Sequence, residues 1–399
     1  MNYDFDKIID RSGSGDFKHE VLKERYGRED IIPLWVADMD FETPPFILDA
    51  IRKRMDHHIF GYTVEPEDYW PTVRKWIFDH HQWDVKEEWM TYIPGVVRGV
   101  GFAINALTGP GDRIIIQTPV YHPFRMVIEG NHRVTVTNPL KETDGESFYE
   151  MDFDHLLSVI DGAKMLVLCN PHNPAGRVWT REELTRMNDI CMRHGVRVIS
   201  DEIHCELVMP GHTFLPFASL SDDCQNNSIT LNSPSKAFNI AGLQIANIIC
   251  KDPETRQRIN RAININEVCD VNAFGVTALQ AAYNEGEDWL NELITYLHDN
   301  YCTLRDFFAT HMPEWKVLRL EGTYLPWVDI SSTGLTADEF TEQLLNAYKV
   351  RVNSGMMYGQ TTGKDYIRIN IACPRARLME ILKRIETFYK QIEKNGKDL

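Results

Sequence analysis

Between residues 112 and 250, short β-branched or apolar runs alternate with longer amphipathic stretches. Each run is four to seven residues long and is bounded by glycine, proline or a charged residue, whereas segment 181–195 spaces its apolar residues as a helix does. This alternation predicts parallel strands linked by crossover helices, and therefore an α/β core. The runs are RIIIQT, KMLVLCN, VRVIS and NIIC.

The composition argues against several classes of protein. The 399 residues carry a formal net charge of −16 without a basic stripe, so nucleic acid is not an expected ligand. The eight cysteines lie far apart and form no C-x-x-C pair, which disfavours a metal cluster or a disulfide framework and fits a reducing cytoplasm. Because neither a leader nor a run of about twenty apolar residues is present, we expect a soluble cytoplasmic protein.

The regions outside this core predict additional units. Residues 1 to about 45 contain Pro33, Pro44 and Pro45 and predict an extended arm. From about residue 289, a long amphipathic helix, short strands such as TYLPWVDI and YIRINIA, and a final helix predict a smaller α/β domain. We therefore expect an N-terminal arm (1–46) that packs with the small domain, a large domain (47–288) and a small C-terminal domain (289–399).

Polar residues follow two of the runs, at the sheet edge where α/β proteins bind ligands. The loop NPHNPAG is stiffened by two prolines and holds Asn173, whose amide can donate to a ligand oxygen or can merely cap the next helix. After VRVIS, Asp201 offers a carboxylate. If it is buried it needs a cationic partner, such as a protonated pyridine nitrogen; the alternative is an ordinary helix cap.

Two further segments offer a nucleophile and an anion site. Lys236 lies in SPSKAFN, after the strand-like SITLN, among apolar and hydroxyl residues. Most lysines are solvated, but one that is desolvated beside another cation becomes a nucleophile and a base. The hydroxyls of Ser233 and Ser235 can bind a phosphate oxygen. Gly95 precedes an apolar helix whose first N–H groups can bind an anion, although a plain loop-to-helix junction is the alternative.

Two other motifs carry less weight. The segment GQTTGKD (359–365) resembles a P-loop, but it has three residues between its glycines instead of four and Asp after the lysine. A surface hairpin is therefore the preferred interpretation. The pairs His57-His58 and His80-His81 have no carboxylate or cysteine at ligand spacing, so we expect no metal site.

These segments together resemble a known superfamily. The Asn-Pro loop, the strand-end Asp and the S-x-x-K segment occur in this order, 28 and 35 residues apart, as in fold-type I pyridoxal 5′-phosphate (PLP) enzymes, the aspartate aminotransferase superfamily. More narrowly, nearly the whole chain resembles the cystathionine β-lyase and cystalysin-type C–S lyase branch. The resemblance implies a mostly parallel seven-stranded sheet flanked by helices. It is carried by WVADMDF, FGYT, TPVYHPF, NPHNPAGRVW, SDEIH and PSKAFNIAGL.

The resemblance implies roles for individual residues around the cofactor ring. Lys236 would form the Schiff base with PLP, Asp201 would pair with the pyridine nitrogen, and Asn173 would reach the phenolic oxygen. Tyr121 would stack on the ring. Arg368, in YIRINIACP, would hold the substrate carboxylate, for which a bidentate fork is well suited.

At the phosphate, the resemblance implies contacts from the backbone amides of Val96 and Val97, near Ser233 and Ser235. Tyr62 would come from a neighbouring subunit, which implies a homodimer with active sites at its interface.

Three positions depart from the superfamily's pattern. His204 stands where transaminases usually place a tyrosine that binds the cofactor's ring oxygen, and Gln244 stands where many carry a phosphate-binding arginine. Both fit the lyase branch better, and His204 remains a cofactor-binding candidate. His122 stands where some cystalysin-type members carry a second tyrosine, and it is assigned no role.

The implied reaction is α,β-elimination from an amino acid such as L-cystathionine or L-cysteine. Lys236 would remove the Cα proton, a sulfur substituent would leave Cβ, and hydrolysis would yield pyruvate, ammonia and a thiol or sulfide. Two alternatives remain open at this point, an aminotransferase and a regulatory protein that retains the fold. The presence of Lys236, Asp201 and Arg368 together favours a catalyst over a scaffold.

Overall fold

The computed structural model describes residues 3–28, 30–144, 148–268 and 270–397. The helices are α1 (Phe17–Tyr26), α2 (Pro45–Met55), α3 (Tyr69–His81), α4 (Val96–Leu107), α5 (Pro123–Gly130), α6 (Phe153–Val159), α7 (Arg181–Arg193), α8 (Asp222–Asn227), α9 (Pro253–Asn264), α10 (Ala273–Glu285), α11 (Glu287–His311), α12 (Ala337–Tyr348) and α13 (Arg375–Lys397). The strands are β1 (Ile32–Pro33), β2 (Met90–Ile93), β3 (Arg113–Ile116), β4 (Val134–Thr137), β5 (Lys141–Glu142), β6 (Tyr149–Glu150), β7 (Ala163–Cys169), β8 (Arg197–Asp201), β9 (Ser228–Asn232), β10 (Ala246–Ile249), β11 (Lys316–Val317), β12 (Trp327–Asp329), β13 (Val350–Arg351), β14 (Asn353–Ser354) and β15 (Tyr366–Arg368).

A seven-stranded sheet in the order β2-β10-β9-β8-β7-β3-β4 forms the centre of the large α/β unit. The five neighbouring strands from β9 to β4 are mutually parallel, which confirms the predicted mostly parallel sheet. One detail of the prediction is wrong, because the run NIIC, which forms β10, is antiparallel to both β2 and β9. A short, fully buried apolar run has the same appearance in either direction.

Both faces of this sheet are covered. In β7, Leu166 and Leu168 pack in the cluster that contains the apolar face of α7, whereas Met165 and Val167 pack in the cluster that contains α4. Successive side chains of a strand point to opposite faces, so helices on both sides bury the whole strand. Helix α7 itself begins with a capping box between Thr180 and Glu183.

Helix α4 lies unusually close to the sheet. A Cβ at Gly99 would lie 2.3 Å from Ile93 Cδ1 and 2.4 Å from Leu231 Cδ2, so any other residue would require these buried side chains to shift. The close contact fixes the first turn of α4 at the carboxyl edge of the sheet, where ligands bind in folds of this kind.

A second, antiparallel sheet has the order β11-β12-β15-β14 and packs with α11, α12 and α13 in one hydrophobic core. The segment GQTTGKD joins the antiparallel strands β14 and β15. The domain boundaries at residues 46 and 288 stay a prediction.

The N-terminal segment contains a helix and a strand, and is therefore not simply an extended arm. It contains α1, whose Lys18 and Leu22 are buried, and β1, which pairs in parallel with β13. The prediction of an extended arm is therefore wrong for residues 17–26. The prolines that suggested it lie outside this helix, with Pro33 in β1 and Pro45 at the first position of α2.

The composition led to two expectations, one about the cysteines and one about membrane-spanning segments. Seven of the eight cysteines are free thiols, and Cys269 lies outside the described residues. Among the helices of the described ranges, none is long and apolar enough to cross a lipid bilayer.

Candidate active site

A cavity of about 290 Å³ opens at the carboxyl ends of β7 and β8, beside the first turn of α4 and the loop after β9. It gathers most of the residues that the sequence singled out, from segments more than 100 positions apart. Those that line it are Val96, Val97, Tyr121, Asn173, Asp201, His204, Ser235 and Lys236. Of the remaining candidates, Arg368 lies buried directly behind the wall, while Ser233 and Tyr62 lie elsewhere.

Lys236 is partly buried and is held by a backbone carbonyl. Its Nζ donates to the Ala37 carbonyl oxygen at 2.6 Å, and the Tyr324 hydroxyl donates to the same oxygen at 2.9 Å. Burial lowers the pKa of Lys236 to about 8; the charge of Arg368 acts in the same direction, whereas Asp38 and Asp201 oppose it. A substantial fraction of neutral amine is therefore available near pH 8, as a nucleophile or a base.

Asp201 ends strand β8 inside the protein. Burial raises the pKa of its carboxyl to about 7, even though the Ile203 N–H donates to Oδ1 at 3.1 Å and Lys236 favours the charged form. A buried carboxylate of this kind gains most from a cation placed against it. The site can therefore hold the proton of a ligand's basic nitrogen.

Arg368 is a buried cation with no carboxylate partner among the described residues. It is 2% exposed, its Nη1 donates to Asn173 Oδ1 at 3.1 Å, and its Nη2 donates to the Trp35 carbonyl oxygen at 2.7 Å. Its Nε is buried without a partner, and the guanidinium lies 5.0 Å from the centre of the Tyr358 ring. An anionic ligand such as a carboxylate would satisfy this charge. Asn173 Oδ1 accepts from Arg368, so Asn173 presents its amide nitrogen to a ligand as a hydrogen-bond donor.

Two aromatic side chains in the cavity are uncharged near neutral pH. Burial, together with the charges of Lys236 and Arg368, lowers the pKa of His204 to about 3, and burial raises the pKa of Tyr121 to about 12. The Nδ1 of His204 is buried and has no hydrogen-bond partner within the described part of the chain. Such an atom costs free energy unless a ligand binds it.

The anion-binding side of the cavity begins at Gly95, whose φ of 147° disfavours any residue with a side chain. Val96 and Val97 form the first turn of α4 and line the cavity. Ser235 lines it as well, whereas Ser233 does not. The Ser233 hydroxyl donates to the Ile245 carbonyl oxygen at 2.6 Å and accepts from the Ser235 N–H at 3.0 Å, so Ser233 shapes the loop that carries Ser235.

Two residues stand apart from the cavity wall. Tyr62 is 97% exposed, on a segment that does not reach the cavity of its own chain. His122 lies next to Tyr121, with ring centres 5.6 Å apart, and its buried Nδ1 has no partner among the described residues. Burial and the charge of Arg368 lower the pKa of His122 to about 4.

Sequence reasoning missed the backbone groups that hold the charged side chains. The carbonyls of Ala37 and Trp35 bind Lys236 and Arg368, and both lie in WVADMDF, which stood out only for its likeness to relatives. Backbone acceptors have no residue-type signature, so only the presence of this segment could have pointed to them.

The sequence shows no carboxylate or cysteine at ligand spacing around the histidine pairs, but residues distant in sequence lie beside His81. The fold brings Glu206 and Cys205 beside it, with His81 Nε2 3.0 Å from Glu206 Oε1. Trp76 also donates to Glu206, at 2.7 Å. Although burial acts in the opposite direction on each group, their mutual attraction raises the pKa of His81 and lowers that of Glu206 to about 2. His81 and Glu206 therefore form a hydrogen-bonded pair in the protein interior.

Comparisons with known proteins agree with this geometry. Residues 29–385 match the family model described as aminotransferase class I and II. The chain is 42% identical to cystathionine β-lyase PatB of Bacillus subtilis over 96% of its own length and 98% of the relative's. It matches the crystal structure of cystalysin from Treponema denticola, which contains pyridoxal 5′-phosphate, with a TM-score of 0.95, 35% identity and coverage of 98% and 100% of the two chains. A PLP-bound putative aminotransferase from Clostridium difficile 630 matches with a TM-score of 0.94, 40% identity and coverage of 96% and 99%. The chain therefore belongs to the aminotransferase class I and II family, in the branch that contains the cystathionine β-lyases and cystalysin.

Proposed function

We propose that this protein is a PLP-dependent carbon–sulfur β-lyase, which converts L-cystathionine or L-cysteine-type amino acids to pyruvate, ammonia and a thiol or sulfide. The observation that carries the proposal is the partly buried amine of Lys236, with its pKa lowered to about 8, in one cavity with Asp201 and near Arg368, a buried cation without a carboxylate partner among the described residues. The relatives named cystathionine β-lyase and cystalysin support the choice of reaction.

The residues of the cavity fit PLP. Asp201 is a buried carboxylate without a salt-bridge partner among the described residues and would hold the proton of the ring nitrogen. The unpartnered Nδ1 of His204 and the free amide nitrogen of Asn173 would bind polar atoms at the ring's edge, and Tyr121 would cover its face. Lys236 would attach the cofactor's aldehyde. When bound, the cofactor withdraws electrons from Cα of the substrate.

The protein's own side chains would bind the substrate and move its proton. Arg368 would bind the substrate carboxylate, with its Nε available for a second hydrogen bond beside the Nη atoms. Once the substrate's amino group has taken its place on the cofactor, the free amine of Lys236 would take the Cα proton onto Nζ, while the Cβ–S bond breaks and the sulfur leaves with the bonding electrons. Hydrolysis of the unsaturated product by one water molecule then gives pyruvate and ammonia.

The phosphate would lie against the first turn of α4. The N–H groups of Val96 and Val97 and the hydroxyl of Ser235 would donate to its oxygens. In this proposal Ser233 acts indirectly, because its hydroxyl orders the loop at Ser235.

We further propose that two copies of the chain form a homodimer. Tyr62 is 97% exposed, and its neighbours Ile59, Phe60 and Val64 are 70%, 57% and 78% exposed. An exposed apolar segment of this kind supports a protein–protein contact. Tyr62 would reach the phosphate in the partner's site. Within each chain we assign residues 1–46, 47–288 and 289–399 to the arm, the large domain and the small domain.

The test is turnover of L-cystathionine by the cofactor-loaded protein in the absence of any keto acid. We expect many equivalents of pyruvate per active site, with the cofactor's absorbance retained. An aminotransferase would instead convert about one equivalent of L-cystathionine to its keto acid and stop, with loss of that absorbance and without release of pyruvate. The same assay on L-cysteine and on an amino acid without a Cβ substituent, such as L-alanine, separates elimination from transfer of the amino group.

A further inference from the structure

One wall of the cavity has a cation that the proposed chemistry does not use. This wall consists of the segment 94–98 and Gln244, next to Ser235. Gln244 is uncharged. We propose that Arg98 provides the positive charge for the cofactor's phosphate and that Gln244 holds its guanidinium in place. The inference rests on the proposed function, since it takes PLP as the ligand.

Arg98 is an exposed side chain that lines the cavity, and two hydrogen bonds orient its guanidinium there. Its Nη1 donates to Gln244 Oε1 at 2.9 Å and to the Pro94 carbonyl oxygen at 3.2 Å. These contacts use Nη1 alone, so Nη2 and Nε keep donors for a ligand. Two parallel donors on a planar guanidinium match two oxygens of a phosphate.

Gln244 is itself held by local backbone geometry. It ends a short 3₁₀ turn (Ala241–Leu243) in the left-handed conformation, with φ 53° and ψ 58°. Its carbonyl oxygen accepts from the Tyr92 hydroxyl at 3.2 Å. With the backbone anchored in this way, the side-chain amide of Gln244 offers Oε1 to Arg98.

The charge of the phosphate requires a cation on this wall. A phosphate monoester carries a charge of about −1.5 to −2 at neutral pH, and a helix N-terminus supplies only about +0.5. Among the described residues that line the cavity, the ionisable groups other than Arg98 that can carry charge near neutral pH are Asp201 and Lys236. Both are proposed to engage the ring end of the cofactor. Arg98 is therefore the cation available to the phosphate.

The test compares two ligands that differ only in the phosphate. Cofactor-free protein is titrated with pyridoxal 5′-phosphate and with pyridoxal, and binding is followed by absorbance and by tryptophan fluorescence. Arg98→Gln is expected to weaken binding of the phosphorylated ligand by about ten- to a hundredfold, the effect of losing a charge-assisted hydrogen bond. Its affinity for pyridoxal should change less than twofold. Arg98→Lys should retain most of the affinity, because it keeps the charge.

Two further variants sharpen the result. Arg125→Gln removes a half-exposed arginine of α5, which pairs with Glu129 at 3.6 Å, and should leave both affinities unchanged. The double variant Arg98→Gln, Gln244→Arg returns a cation to the same wall and should recover affinity for the phosphorylated ligand.

The outcomes separate this inference from the proposed function. If Arg98→Gln weakens binding of both ligands equally, or of neither, then Arg98 is not the phosphate's cation, although the cofactor assignment stands. If the wild-type protein binds both ligands equally or binds neither, the cofactor assignment itself is contradicted.

Discussion

Lys18 is fully buried and Lys236 is partly buried, and their surroundings change the pKa of the two amines in opposite directions. Lys18 of α1 has an exposure of 0%, and its Nζ lies 2.7 Å from Asp40 Oδ1 and 3.3 Å from Asp38 Oδ1. Although burial alone lowers its pKa, these two carboxylates outweigh burial and raise it. Lys236 is held by the Ala37 carbonyl, and its pKa is lowered to about 8.

The difference shows that burial alone does not produce a reactive lysine. The local carboxylates keep Lys18 protonated, so it fastens the N-terminal segment as part of a network that includes Arg11. Lys236 has a carbonyl as its contact and no carboxylate at ion-pair distance among the described residues, so desolvation outweighs the charges of Asp38 and Asp201 and lowers its pKa, with a smaller contribution from Arg368. An amine removed from water keeps its proton where carboxylates contact it, as at Lys18, and loses it more easily where none does, as at Lys236.

Replacing the reactive lysine should have the largest effect. Lys236→Ala removes the proposed proton-transfer base, so we expect pyruvate release from L-cystathionine to fall by roughly 10³-fold or more. The fold should persist, because the variant removes an amine with an unfavourable buried charge. Lys75→Ala, at an exposed lysine of α3, is the control and should keep full activity. Substantial turnover by Lys236→Ala would contradict the assignment of Lys236 as the reactive lysine.

Replacing Asp201, the carboxylate at the end of β8, should have the second largest effect. Asp201→Asn keeps the shape of the side chain but removes the charge proposed to hold the ring nitrogen's proton. We expect kcat for pyruvate release to fall by roughly 10²- to 10³-fold, the scale of losing one preorganised electrostatic group. Asp222→Asn, at an exposed carboxylate, serves as the control. Unchanged kcat in Asp201→Asn would exclude that role.

Replacing Lys18, which pairs with Asp38 and Asp40, should affect the stability of the fold and not the catalytic reaction. Lys18→Met leaves Asp38 and Asp40 with Arg11 as their remaining partner, and we expect unfolding to become easier by about 2–3 kcal/mol, measured by urea denaturation. Lys7→Met breaks an exposed pair with Glu42 and should cost less than about 1 kcal/mol. Equal effects of the two variants would show that burial of Lys18 adds nothing.

The smallest expected effect is on how the free energy of unfolding changes with pH, which should differ between variants of the two lysines. In the cofactor-free protein the pKa of Lys236 is about 8, against 10.5 in the unfolded chain. Between these values the unfolded chain binds more protons, so wild-type stability should rise relative to Lys236→Met by about 1 kcal/mol per pH unit. Below pH 8, Lys236 is protonated in both the folded and the unfolded chain, so the stability difference between wild type and Lys236→Met is constant. Lys18 is charged in both states through most of this window, so the difference between wild type and Lys18→Met should stay flat. Parallel curves for the two variants would contradict the pKa contrast.

Much of the fold was accessible from the sequence, because strands buried on both faces of a parallel sheet produce continuous apolar runs. The run KMLVLCN and segment 181–195 predicted β7 and α7 for this reason. The direction of β10 was not accessible, since strand direction leaves no mark in a run such as NIIC. The helix α1 was also missed, because its apolar residues follow no strong helical stripe.

Within the site, the sequence pointed to side chains but not to their supports. Lys236, Asp201 and Asn173 were found because strand ends share one edge of the sheet. The carbonyl of Ala37 and the pair of His81 with Glu206, which lie 125 positions apart, depend on folding alone. The hydroxyl of Ser233 was expected at the phosphate, but it is occupied by Ile245 and Ser235.

The most direct test of the central claim is borohydride reduction of the cofactor-loaded protein, followed by peptide mass mapping. We expect the cofactor's mass on the peptide that contains Lys236 and none on the peptide that contains Lys18. Labelling of any other lysine in place of Lys236, or no labelling of a protein that binds the cofactor, would contradict the account.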